Sequence, residues 1–208
     1  MNKKLIAVLL AMLMFGLSAC GALKDATVST IYVDKKGKVT SATIASLPAE
    51  QYDENELKKS IDEALDAYNS GQDKITLDDF KVKKEQAHLI LTYATAEDYE
   101  NFNGRVLFAG TMAEARSAGY EFEGEFIDAN KVSTTGSAIL QEAQDELIII
   151  TNEPVQIQTT KDILYTSANA TIIDKRVAMV EAEAGATDNG ITFGNAKNAY
   201  IIYGEPKK

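Results

Sequence analysis

Carboxylates are the one class of reactive side chain that this sequence gathers in a regular pattern. In Tyr120-Glu121-Phe122-Glu123-Gly124-Glu125-Phe126, the period of two of a β-strand would put Glu121, Glu123 and Glu125 on one face. Tyr120, Phe122 and Phe126 would cover the other. Neighbours on such a face stand roughly 6.6 Å apart at the backbone, so three long glutamates could close on a hard cation. Ca2+ suits carboxylate oxygens, but it takes about six to eight of them and would need loop carbonyls or a second strand. The competing and simpler reading is a solvated strand face on an acidic protein. Pairs of acids could also serve glycoside hydrolysis, which needs two carboxyls about 5 to 10 Å apart across a sugar-sized cleft. Acids are too common here for any pair to stand out. The chain has no tryptophan to stack on a sugar, although nine tyrosines remain.

Other chemistries find little to work with. His88 is the only histidine, and it falls in an apolar run where a structural role is the ordinary one. No Gly-x-Ser-x-Gly elbow occurs, and no serine is followed by lysine three positions later. One histidine and one cysteine cannot build the usual zinc shell of nitrogen and sulfur. Neither the glycine-rich dinucleotide fingerprint nor the phosphate loop is present, and no further cofactor is implied.

The elements that must position these residues can be read from periodicity and turn chemistry. Val28–Val33 and Val39–Leu47 flank Asp34-Lys35-Lys36-Gly37 and predict a hairpin. Asp53 to about Ser70 predicts the long helix, with Leu57, Ile61, Ala64, Leu65 and Tyr68 on one stripe and Gly71 as the stop. A second hairpin is expected over Lys74–Val82 and Ala87–Tyr93. Its second strand turns Ala87, Leu89, Leu91 and Tyr93 to one side and His88, Ile90 and Thr92 to the other. Short helices follow Thr95 and Thr111, and a modest one covers Ala138–Gln144. Strands are predicted at Arg105–Phe108 and Tyr120–Ile127. Further strands follow at Glu146–Thr151, Val155–Gln158, Ile163–Thr166, Ala170–Ile173, Val177–Glu183 and Ala199–Tyr203. The class is α+β: antiparallel sheet, one long helix, two or three short ones, and a C-terminal part that is mainly β.

Cys20, the only cysteine, excludes an internal disulfide. It follows an apolar run, Leu5 to Leu17, that begins after Lys3 and Lys4. That run is shorter than the roughly 20 residues of a spanning helix, and the small pair Ser18-Ala19 completes a signal-peptide pattern. Leu17-Ser18-Ala19-Cys20 resembles the lipobox of bacterial lipoproteins. The resemblance implies cleavage before Cys20, a diacylglyceryl group on its sulfur with palmitate-like chains, and Cys20 as the first mature residue. At roughly 0.8 kcal/mol per buried methylene, two acyl chains suffice for stable attachment where one does not. The implied plan is a signal peptide (1–19), a lipidated tether (20–26) and an extracytoplasmic domain (27–208). The polar segment 129–136 is the best placed subdomain boundary.

Two further stretches resemble small lipoproteins of Gram-positive, gut-associated bacteria. One is Asp98-Tyr99-Glu100-Asn101-Phe102-Asn103-Gly104, continuing to Leu107-Phe108-Ala109-Gly110-Thr111. The other is Ile163-Leu164-Tyr165-Thr166-Ser167-Ala168-Asn169 with Ala199-Tyr200-Ile201-Ile202-Tyr203. This resemblance brings no activity and no catalytic residue. It implies a place at the cell membrane, lipid-anchored on the extracytoplasmic face.

Charge narrows the partners. The net charge is −10, and it becomes −12 without residues 1–19, which carry Lys3 and Lys4 and no acid. Such a chain repels nucleic-acid phosphates, so no nucleic-acid partner is expected. The expected partners are the membrane, through lipid on Cys20, and an envelope protein or a small ligand. The leading function is therefore a non-enzymatic binding or interaction module. The alternatives are a carboxylate-dependent hydrolase of envelope glycans and an envelope assembly factor that grips its partner through a sheet edge.

Overall fold

A computed structural model describes residues 23–47, 53–83, 85–182, 187–188, 191–192 and 197–205. The signal segment, Cys20 and the far end of the chain lie outside the described residues. The architecture is α+β, as the periodicities predict.

The first hairpin pairs β1 (Thr30–Val33) with β2 (Val39–Ser46). Asp34 builds its turn, because Oδ1 accepts the amides of Lys36 and Lys38 at 2.7 and 2.9 Å. Helix α1 (Glu54–Asn69) starts where Asp53 Oδ1 accepts the Asn55 and Glu56 amides, and it ends at Ser70 in the left-handed region. Of its predicted stripe only Leu65 is fully buried, while Leu57, Ile61 and Tyr68 are half-buried and Ala64 is exposed. The helix therefore leans on the rim of the core instead of crossing it. The second hairpin pairs β3 (Ile75–Lys83) with β4 (Gln86–Tyr93), with a register slip between Leu77 and Asp79.

Helix α2 (Ala96–Asn103) is capped by the Thr95 hydroxyl and closed by Gly104. It leads into β5 (Leu107–Thr111) and α3 (Met112–Ser117), where Thr111 and Glu114 form a complete capping box. The strand predicted for Tyr120–Ile127 is shorter: β6 covers Glu125–Asp128 only. Gly124 sits at φ +88°, a left-handed conformation that a β-ladder cannot run through. Residues 129–136, the expected subdomain boundary, hold the turn into β7 (Ser133–Thr135), which pairs with β6. Helix α4 (Gly136–Glu142) follows.

The remaining strands are β8 (Leu147–Thr151), β9 (Gln156–Gln158), β10 (Asp162–Ser167), β11 (Ala170–Asp174) and β12 (Val177–Val180). A two-stranded ribbon of β13 (Thr187–Asp188) and β14 (Ile191–Thr192) precedes β15 (Ala199–Gly204). Sheet A has the order β11-β12-β9-β1-β2-β4-β3, and sheet B the order β5-β8-β15-β10-β6-β7. Pairing is antiparallel except between β1 and β9, which run parallel. The chain leaves sheet A after β4, builds much of sheet B, and returns beside β1 in the same direction.

Ile31, Val33, Leu91 and Ile157 of sheet A share one core with Ile149, Ile163 and Ile201 of sheet B. The other side of sheet B buries Phe126, Ile148, Ile150 and Ile202 with Met112 and Ala115 of α3 and Ile139 and Ala143 of α4. Sheet B is thus covered on both faces, which is why β8 reads as the unbroken run Leu147-Ile148-Ile149-Ile150. Each fully buried isoleucine contributes roughly 1.5–3 kcal/mol. The outer face of sheet A carries a smaller cluster, in which Leu23 is 2% exposed and packs on Ala42 of β2 and Ile90 of β4.

Candidate functional site

The three glutamates singled out by spacing are not gathered. Glu121, Glu123 and Glu125 are all exposed, and the left-handed Gly124 interrupts the strand geometry that was to align them. Phe122 and Phe126 are buried as expected, stacked with centroids 6.4 Å apart. Among the described residues no group of three or more histidine, cysteine, aspartate or glutamate side chains could hold a metal ion. His88 lies on the outer face of sheet A, opposite Ile44 on β2 and Lys81 on β3. It is 9% exposed, and neither ring nitrogen has a hydrogen-bond partner.

A more informative concavity lies beside the stretch that resembles small lipoproteins. The β1–β2 turn, the start of α2 and strand β5 enclose a cleft of about 380 Å³. Lys36, Glu97 and Glu100 supply charge at its edge, and Phe108 and Tyr120 supply aromatic surface, their rings tilted with centroids 5.2 Å apart. Burial, with Glu100 nearby, pushes the Tyr120 hydroxyl above its ordinary range. The floor is rigid. Tyr99 on α2 is 4% exposed and donates to Glu153 Oε2 at 2.6 Å, and Asn103 Nδ2 donates to Tyr93 OH at 3.2 Å and to the Tyr99 carbonyl at 2.9 Å. Burial first, and then the Glu153 carboxylate, hold the Tyr99 hydroxyl well above its usual pKa.

Carboxylates do meet elsewhere. A recess of about 260 Å³ is lined by Asp128, Glu142, Glu146 and Tyr165, from three different elements and the loop before β8. The Tyr165 hydroxyl donates to Glu142 Oε2 at 3.1 Å, and Asp128 Oδ1 accepts the amides of Asn130 and Val132 at 2.8 Å each. These acids are engaged in fixing a turn and a tyrosine. Burial and Glu142 raise the Tyr165 pKa. Sequence spacing could not find this group, because its members lie far apart in the chain.

Three of the four edge strands of the two large sheets offer limited purchase to a partner strand. Strand β3 is packed by α1, and β5 by α2 and α3. The free edge of β11 slips in register between Ile172 and Asp174, leaving Ile173 57% exposed on a bulge, a geometry that opposes further pairing.

One described residue that spacing did not single out is Leu23. It falls within the expected tether 20–26, yet it is buried, and its carbonyl accepts the Ala26 amide at 3.1 Å. Its one signal is that it is the only large apolar side chain in Gly21–Ala26. No helix among the described residues is long and apolar enough to cross a membrane. Against known proteins the chain matches no family model, no curated sequence and no solved structure.

Proposed function

We propose that this chain is a lipoprotein anchored by Cys20 to the extracytoplasmic face of the cell membrane, where it works as a non-enzymatic binding module. The observation that carries the reading is Leu17-Ser18-Ala19-Cys20 after a short apolar run headed by Lys3 and Lys4. The binding part draws support from the cleft at Lys36, Glu97, Glu100, Phe108 and Tyr120. Its volume of about 380 Å³ suits a small amphipathic ligand, and pockets that serve such ligands run to roughly 300–1,000 Å³. The carboxylate-hydrolase alternative draws on the Asp128, Glu142 and Glu146 recess. It is the weaker reading, because hydrogen bonds within the fold already occupy Asp128 and Glu142.

Cys20→Ala tests the anchor. The variant should lose acyl labelling and move from the membrane to the soluble fraction, with its circular dichroism spectrum unchanged. Retention of the alanine variant in membranes would mean that residues 5–17 hold the protein as an uncleaved anchor.

A further inference from the structure

The packed body reaches to within three residues of Cys20. Leu23 is plugged into the outer face of sheet A against Ala42 and Ile90, with Ala26 and Tyr32 packed beside it. Past the Leu23–Ala26 turn, Ser29 locks the segment to β2: its Oγ accepts the Ile44 amide at 3.0 Å and donates to the Ile44 carbonyl at 3.4 Å. Three peptide units separate Cys20 from Leu23, and they span at most about 11 Å however they are arranged. A chain held to lipid at Cys20 keeps Leu23 and the patch around it within about that distance of the lipidated residue.

Charge is distributed to match. Residues 23–47 and 75–93, which supply the N-terminal segment and strands β1–β4, carry seven lysines against five carboxylates. Residues 104–151, which supply α3, α4 and most of sheet B, carry eight carboxylates against three cations. Within the first group Asp79 pairs with Lys81 at 3.1 Å, which removes one charge of each sign. Residues 53–74 and 94–103, which supply α1 and α2, carry a further ten carboxylates against three lysines, so the segments around Leu23 are the ones that anionic headgroups repel least.

We infer that the domain lies against the bilayer with the outer face of sheet A toward the anionic headgroups, and with α3, α4 and their carboxylates facing away. This rests on the lipoprotein reading, because Cys20 is the point from which the distance is measured. The partner is the lipid surface itself. The acidic helical face is what the cell's exterior meets.

The test uses the lipidated protein extracted from membranes and reconstituted into vesicles of phosphatidylethanolamine and phosphatidylglycerol with a headgroup nitroxide lipid. Two variants carry a thiol-linked fluorophore. Val28→Cys sits beside Thr30, Gln156 and Gln158 on the outer face of sheet A, and Gln141→Cys sits on the exposed side of α4. Cys20 is the only native thiol, so an acylated chain takes label at the new site alone. The probe at position 28 should be quenched several-fold more than the probe at 141. Replacing phosphatidylglycerol by phosphatidylcholine should narrow that ratio. Vesicle-bound protein with equal or reversed quenching would overturn the orientation while leaving the anchor intact. A ratio unmoved by the lipid exchange would overturn its electrostatic part. Protein that fails to float with the vesicles, or that takes label at Cys20, would overturn the anchor and the orientation together.

Discussion

At the scale of single residues, the outer face of sheet A holds the least conventional side chains. Thr40 and Thr92 hydroxyls approach at 3.2 Å, and Thr92 gives its one proton to Asp78 Oδ2, so Thr40 must be the donor between them. The register slip beside Asp78 is what brings that carboxylate into line with Thr92. His88, by contrast, is buried without any partner for either nitrogen. A buried polar group without a hydrogen bond costs stability, so His88→Leu, similar in volume, should raise stability by about 1 kcal/mol. The urea midpoint of the soluble domain reads this directly. A lowered midpoint would show that the imidazole has an interaction that leucine cannot replace. His88 thus has no role in the proposed site, in keeping with its position in the apolar second strand of a hairpin.

At the scale of elements, the fit between α4 and the segment before β6 is the tightest constraint. A Cβ built on Gly136 would lie 1.7 Å from the Phe122 carbonyl oxygen and 2.6 Å from its carbon, and both neighbours are backbone. Gly136→Ala should therefore cost about 3 kcal/mol or more, because a backbone cannot step aside as a flexible side chain can. Chemical denaturation would check it, and an unchanged midpoint would mean that α4 does not pack on this segment. Local signals announced most of the elements. Asp53 and Gly71 bracket α1, Thr95 and Gly104 bracket α2, and the alternation in Ala87–Tyr93 separates the core face from the outer face of β4. The strand expected over Tyr120–Ile127 fell short because alternation and β-propensity outweighed one glycine in the sequence pattern. In the fold, the positive φ of Gly124 decides where β6 begins. The sites were less legible than the elements. The cleft at Tyr120 and the recess at Tyr165 each join segments far apart in the chain, and the pairing of β1 with β9 leaves no local trace at all.

At the scale of the whole molecule, the order of strands makes one body. The chain passes from sheet A to sheet B and back through β9, β10, β11 and β15, so the central core draws on both ends of the sequence. Leu23 extends that body to within three residues of Cys20, so part of the expected short tether 20–26 belongs to the packed domain. The proposed anchoring and the proposed orientation both depend on what happens at that cysteine. Mass spectrometry of the protein extracted from membranes tests it most directly. The spectrum should show a chain that begins at Cys20 and carries a diacylglyceryl group there, with residues 1–19 gone. A chain that retains residues 1–19, or one that begins with an unmodified Cys20, would contradict the lipoprotein reading.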